Sequence, residues 1–161
     1  MQASDLSELV VTCCSDVLDA MYFSSVLEAT HLPIANEEDV AAMIPLSATD
    51  QMYSLAFHGT VSGQFGIHLG RETATRLAGN FLGESEGTLS EREVGEVVGE
   101  LSNMLCGSIV SRIEGKSTFA LSHPEAVLSM PALSDKDSAV HTFHTDDGVI
   151  TTWVVVEGIG S

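Results

Sequence analysis

The chain has 161 residues, 44% hydrophobic and 18% charged, a globular composition that fits one domain over residues 1–161. Six Lys and Arg against 23 Asp and Glu give a formal net charge of -17, which argues against nucleic acid and anionic membranes as partners because both attract cations. The N-terminus lacks the basic start and apolar core of a signal peptide, and no stretch is apolar enough to span a bilayer.

Apolar residues at helical spacing predict the first element, an amphipathic helix over residues 5–28. Cys13 and Cys14 lie in this helix, where adjacent positions point about 100° apart and cannot easily form a disulfide. Together with Cys106, they show no metal-binding spacing. We therefore expect three reduced, buried thiols and a cytoplasmic location. Residues 30–49 are expected to form an irregular connection with one short strand.

Alternating apolar and polar residues predict a β-hairpin next, with strands over residues 53–57 and 61–69. A three-residue loop between them would set Phe57 opposite Val61 and align the apolar faces. The hairpin is followed by a short helix over residues 71–82, ended by a glycine.

A strand over residues 117–122 and a C-terminal hairpin complete the pattern. The hairpin strands, residues 139–145 and 149–157, flank an Asp-Asp-Gly turn whose residues tolerate positive φ. Together the elements predict an α/β (α+β) fold, in which two long helices pack on a mostly antiparallel sheet.

The longest predicted helix, residues 90–114, begins with a capping box formed by Ser90 and Glu93. At about 100° per residue, one face of this helix is apolar and must be core. The opposite side carries four residues, all within about 40° of Glu96. We call this set the Glu–Asn face: Glu96, Glu100, Asn103 and Gly107. One interpretation is an ordinary solvated helix surface, on which glutamates are common.

Two features of the helix weaken that interpretation. Asn is a poor residue for a helix interior because its side chain competes for backbone hydrogen bonds. Gly95, Gly99 and Gly107 each cost about 1 kcal/mol relative to Ala. Close contact with a partner is the simplest reason for tolerating these costs. We therefore predict Glu96, Gly99 and Gly107 as partner-binding residues.

The run Glu96-Val-Val-Gly-Glu100-Leu-Ser-Asn103-Met-Leu-Cys-Gly107 resembles the CheX and CheC family of bacterial chemotaxis phosphatases. These enzymes remove phosphate from the aspartyl phosphate of a CheY-type receiver domain. Glu100 and Asn103 match the two catalytic positions, and the single Glu-x-x-Asn is similar to the one-site CheX type. The coarse order of elements agrees over most of the chain. Glu96 stands where Asp or Ser is usual, and Pro124, which matches a later proline, comes slightly early.

The chemistry of an acyl phosphate fits these residues. Hydrolysis proceeds by in-line attack of water, and the amide of Asn103 can both donate and accept, so it can hold that water in line. The resemblance implies that Glu100 docks to the receiver lysine. It also implies that the phosphorylated receiver brings the Mg²⁺, so we expect no cofactor and no metal site in this chain.

The resemblance further implies a homodimer that joins two sheets edge to edge. Two other functions remain open from the sequence. One is a catalytically inactive, CheX-like binding module that docks a receiver through the same helix face. The other is a structural subunit that buries the Glu–Asn face in a homodimer.

Overall fold

A computed structural model describes residues 3–32, 47, 49–115, 117–131, 133 and 138–157. These residues form three α-helices packed on a seven-stranded sheet in which every recorded pairing is antiparallel. The predicted fold class is therefore confirmed. The helices are α1 (Ala3–Tyr22), α2 (Arg71–Leu82) and α3 (Glu91–Glu114). The strands are β1 (Val26–Leu32), β2 (Gln51–His58), β3 (Gly63–Leu69), β4 (Ala120–Leu121), β5 (Glu125–Ala126), β6 (Ser138–Thr145) and β7 (Gly148–Val156).

The strand order in the sheet is β1-β6-β7-β3-β2-β4, and β5 also pairs with β2. The helices follow this order, since α1 contacts β1 and β6, α2 contacts β7, and α3 contacts β2 and β3. The main apolar core lies between the helices and the sheet. A smaller cluster forms on the reverse face around Met52, Val140 and the fully buried Trp153. This layering places α3 beside the β2–β4 edge of the sheet.

The first helix is shorter than the sequence predicted. It ends at Tyr22, and Phe23 has a φ of 50°, in the left-handed region that cannot continue a right-handed helix. The Ser24 N–H donates to the carbonyl of Leu18 at 3.0 Å, and the chain then enters β1, which pairs with β6. The prediction of helix over residues 23–28 is wrong because this distant strand pairing overrides the local apolar spacing. Most of the predicted connection over residues 30–49 lies outside the described residues.

The register of the β2–β3 hairpin also differs from the prediction. Phe57 pairs with Gly63 and not with Val61, because a four-residue connection replaces the expected three-residue loop. The carboxylate of Glu114, at the end of α3, accepts from the backbone N–H groups of Thr60 and Val61 at 3.1 and 2.9 Å. The shift of two residues keeps each apolar side chain on its predicted face.

The remaining elements lie close to their predicted positions. Helix α2 ends at Leu82 and is capped by Gly83, whose φ of 69° is left-handed. The C-terminal hairpin is confirmed, although the positive φ falls on Gly148 and on neither aspartate. The predicted strand over residues 117–122 is reduced to β4.

The three cysteines are buried and unpaired, as the sequence predicted. Burial raises the pKa of the Cys106 thiol to about 12, and it raises the pKa of Cys14 as well. Both thiols therefore stay protonated at neutral pH. Among the described residues, no helix is both long and apolar enough to cross a membrane.

Candidate active site on the third helix

The candidate site lies on α3, whose start is fixed by the predicted capping box. Ser90 Oγ accepts from the Glu93 N–H at 3.1 Å, and Glu93 Oε1 accepts from the Ser90 N–H at 3.1 Å. These bonds satisfy two backbone donors that a helix start otherwise leaves free. The predicted apolar side is buried against the sheet: Val94, Val98, Leu101, Leu105 and Ile109. The helix is thus a rigid support that leaves the Glu–Asn face directed away from the core.

An open groove of about 930 Å³ runs along this face. Helix α3 forms one wall, and Tyr53 of β2 lies beneath it. The opposite wall is the segment that leaves β4: Leu121, Ser122, His123 and Pro124. Of the predicted site residues, Glu96, Gly99, Glu100 and Asn103 line the groove, whereas Gly107 lies beyond it against Leu121.

Glu100 and Asn103 differ in their exposure to solvent. Glu100 is exposed, so its carboxylate is free to reach a cationic group on a partner. Asn103, one turn later, is half-buried, so its amide is less open to solvent than the Glu100 carboxylate. A hydrated carboxylate beside a half-buried amide can bind a cation at one point and orient a small polar molecule at the other.

Glu96 already has a partner within the chain. Arg92 Nε donates to Glu96 Oε1 at 3.2 Å, four residues apart on exposed helix surface. Both residues line the groove. An exposed pair of this kind contributes little to stability, typically 0.3–0.5 kcal/mol for this spacing, but it places a guanidinium group at the mouth of the groove. Arg92 was not among the predicted site residues, although its spacing from Glu96 could have indicated the pair.

One of the three glycines of α3 has a reason within the chain for its small size. A Cβ on Gly95 would lie 2.9 Å from Tyr53 Oη, which is too close. A Cβ on Gly99 would lie 3.6 Å from Tyr53 Cε1, and one on Gly107 would lie 3.6 Å from Leu121 Cδ1, both at ordinary contact distance. Gly95 therefore lets α3 approach β2, while Gly99 and Gly107 would accommodate a methyl group.

Two tyrosines lie next to the Glu–Asn face, and the sequence analysis missed both. Burial raises the pKa of Tyr53, and the charge of Glu96 adds to the effect. Burial also raises the pKa of Tyr22, again with a contribution from a carboxylate, here Glu100. Both phenols therefore remain neutral. They reach the face from β2 and α1, elements far away in sequence, so no local pattern on α3 could have revealed them.

Within the described part of the chain, no three His, Cys, Asp or Glu side chains are grouped so that they could hold a metal ion. The groove combines three carboxylates with two side-chain amides and one guanidinium. This set suits recognition of a charged protein surface. Binding of a free metal ion would require clustered oxygen ligands, and binding of a free phosphate would require clustered cations.

The family described as "Chemotaxis phosphatase CheX" matches residues 53–146. Among solved structures, the fold is similar to that of chemotaxis protein CheX from Vibrio vulnificus, with 20% identity, a TM-score of 0.71, and coverage of 98% of this chain and 99% of that one. A CheC-like superfamily protein from Shewanella sp. PV-4 has 20% identity and a TM-score of 0.69, covering 96% and 98%. A CheX–CheY–BeF3–Mg²⁺ complex from Borrelia burgdorferi has 19% identity and a TM-score of 0.66, covering 92% and 96%. Comparison with curated proteins finds no match.

Proposed function

Because this chain belongs to the CheX family of chemotaxis phosphatases, we propose that it hydrolyses the aspartyl phosphate of a CheY-type receiver and that Glu100 and Asn103 carry the reaction. The observation that supports this most directly is the placement of both residues on one open, rigid helix face. The matched family segment includes that face and both walls of the groove. The similar structure from Borrelia burgdorferi is a complex of CheX with CheY, BeF3 and Mg²⁺, which supports a receiver as the partner here.

The half-buried amide of Asn103 suits the central step. Water must attack phosphorus opposite the leaving carboxylate, and the amide can accept one hydrogen bond from that water and donate another. Holding the water in this geometry lowers the entropic cost of attack. The bond between phosphorus and the aspartyl oxygen breaks, releasing inorganic phosphate and the free carboxylate on the receiver. Asn103 needs no change of protonation in this step.

The exposed carboxylate of Glu100 suits docking. Its negative charge would pair with the receiver lysine beside the phosphoryl group, which places Asn103 over the phosphorus. Mg²⁺ on the receiver would neutralise charge on the phosphoryl oxygens. In this assignment, Glu96, Gly99 and Gly107 are proposed as partner contacts around the catalytic pair.

The test is the decay of a phosphorylated CheY-type receiver in Mg²⁺, with wild-type protein and with Asn103→Ala. We expect wild type to accelerate decay and the variant to lose activity on the order of 10²-fold, as when one positioned hydrogen-bonding group is removed. Glu100→Ala should also lose activity. Glu8→Ala serves as its matched control, since Glu8 is an exposed helical glutamate on α1, outside the groove. Full activity in Asn103→Ala would refute the assignment of the water-positioning residue.

One observation favours the alternative of a binding module without catalysis. Glu96 replaces the Asp or Ser usual in the family, and Arg92 holds its carboxylate. If the receiver binds but its phosphate decays no faster, the surface serves for docking alone. If no cognate receiver binds, both functions are rejected.

A further inference from the structure

A second surface lies where α1 and α2 end, beside the centre of α3. The Tyr22 ring stacks on the Phe81 ring with their centroids 4.9 Å apart, which brings the two helix ends together. Directly next to these two residues in the chain, three large apolar side chains are exposed: Met21, Phe23 and Leu82. We call these three residues the apolar corner. Phe23 is the most open of them, at 72% exposure.

Phe23 combines an exposed ring with an unfavourable backbone. In the part of the chain that the structure describes, it is the only non-glycine residue with a positive φ. Bulky residues rarely adopt this left-handed conformation, whereas glycine or asparagine does so at little cost. The exposed ring gains nothing from the core in return. Folding alone therefore does not explain a phenylalanine at this position.

Tyr22, which lies between Met21 and Phe23 in the chain, links the apolar corner to the Glu–Asn face. The Tyr22 hydroxyl donates to Met104 Sδ at 3.7 Å, and Met104 directly follows Asn103. The charge of Glu100 reaches the same phenol. On the helix wheel, Met104 lies about 40° from Glu100, on the side away from Gly99 and the groove. The Glu–Asn face thus has the groove on one flank and the apolar corner on the other.

We propose that the apolar corner is a second contact surface for the receiver that docks on the Glu–Asn face, with the Phe23 ring as its anchor against an apolar patch beside the phosphoryl site. This inference rests on the proposed function. A stable interface buries about 800 Å² on each partner, a patch roughly 30 Å across, which is large enough to include both surfaces. The Glu–Asn face offers carboxylates and an amide, whereas binding energy is usually concentrated in buried aromatic anchors.

Charge also favours an apolar anchor. The net charge of -17 gives no long-range attraction for an anionic, phosphorylated partner. The free energy gained by burying an apolar ring does not depend on that charge, so Phe23 would stabilise the complex where electrostatic attraction does not. The rival occupant is a second copy of this chain, which would use the same ring in a homodimer.

The test is Phe23→Gly, which removes the ring and relieves the backbone. The probe is a CheY-type receiver loaded with BeF3 and Mg²⁺, which does not turn over, and binding is measured by calorimetry. We expect the Kd to rise about tenfold while the melting temperature stays equal or increases, because glycine accepts the φ of 50°. With phosphorylated receiver, the loss should appear in KM and not in kcat.

The matched control is Val149→Ser. Val149 is also a partly exposed apolar residue, but its neighbour Ile150 lies in the helix-facing core, so Val149 points to the reverse face of the sheet. We expect its receiver affinity to equal that of wild type. Asn103→Ala should show the opposite division, with binding retained and turnover lost.

Each alternative result has a separate meaning. If wild type binds the loaded receiver and Phe23→Gly binds it equally well, the apolar corner is not a receiver contact, and the proposed function stands. If Phe23→Gly changes the sedimentation of the protein alone while leaving receiver affinity unchanged, the ring belongs to a homodimer, and the inference is overturned. If wild type binds no receiver, the proposed function and this inference fail together.

Discussion

Gly107→Ala separates the two explanations for the glycines of α3, a requirement of the fold and contact with a partner. A Cβ at this position would lie 3.6 Å from Leu121 Cδ1, with no closer neighbour outside its own helix turn. The added methyl group therefore fits, and replacing glycine by alanine inside a helix stabilises it by about 0.5–1 kcal/mol. For a chain of this length, such a gain raises the melting temperature by roughly 1–4 °C.

Receiver binding should change in the opposite direction. Gly107 is half-buried, one turn beyond Asn103 on the Glu–Asn face, so its methyl group would project towards a docked partner. Overpacking a fitted interface by one methyl group costs about 1 kcal/mol, which corresponds to an approximately fivefold weaker Kd. Thermal unfolding gives the first quantity, and calorimetric titration with a BeF3-loaded receiver gives the second.

Gly99→Ala is the matched comparison, since it adds the same group to the same helix. Gly99 is buried between Tyr53 and Pro124, so we expect a similar gain in stability with a smaller effect on binding. A fall in stability for Gly107→Ala would refute the packing argument. A gain in stability with unchanged receiver affinity would refute the partner explanation for Gly107.

Two further predictions concern the sheet and its core. Gly66→Ala should destabilise the fold by about 1–3 kcal/mol or more in denaturant unfolding, because the indole of Trp153 occupies the space that a Cβ would need. Its control is Gly87→Ala, which should be nearly neutral because a Cβ there would meet nothing within 4 Å. Equal stabilities of the two variants would contradict this packing. Burial, together with the charge of His31, lowers the pKa of His141 to about 4 from 6.5. Below pH 6.5 the unfolded chain therefore binds a proton that the folded chain does not. The free energy of unfolding should thus be unaffected by His141 above pH 6.5 and fall by roughly 2–3 kcal/mol by pH 4.5. His141→Gln should lose most of that pH dependence, and an unchanged slope would refute the assignment.

The sequence was sufficient to predict α3 and its two faces because the signals are local. Ser90 and Glu93 form their capping box within one turn, and the 3.6-residue spacing of apolar side chains depends only on neighbours along the helix. The same reasoning located Glu100 and Asn103 on a surface opposite the core. Their catalytic roles remain predictions.

Interactions between distant parts of the chain account for what the sequence analysis missed. The end of α1 is set by the pairing of β1 with β6, more than 100 residues later. The connection between β2 and β3 is bound by Glu114, whose carboxylate comes from the far end of α3. Two parts of the groove likewise come from elsewhere in the chain, since Tyr53 of β2 lies beneath it and the segment that leaves β4 forms one wall. One helix pattern cannot specify the strand that lies beside it.

The charge of this protein limits how it could act on a phosphorylated partner. A phosphoryl group carries about -1.5 to -2 charges at neutral pH, and this chain has 23 acidic against 6 basic residues. At physiological salt, charges more than about 8 Å away are largely screened, so the groups nearest the phosphorus decide the outcome. In the proposed complex, the nearest group is the neutral amide of Asn103, and the neutralising charges, Mg²⁺ and lysine, belong to the receiver. Glu100 then favours partners that present such a cation and disfavours phosphate groups that lack one, so the acidic face would act as a specificity filter for receivers.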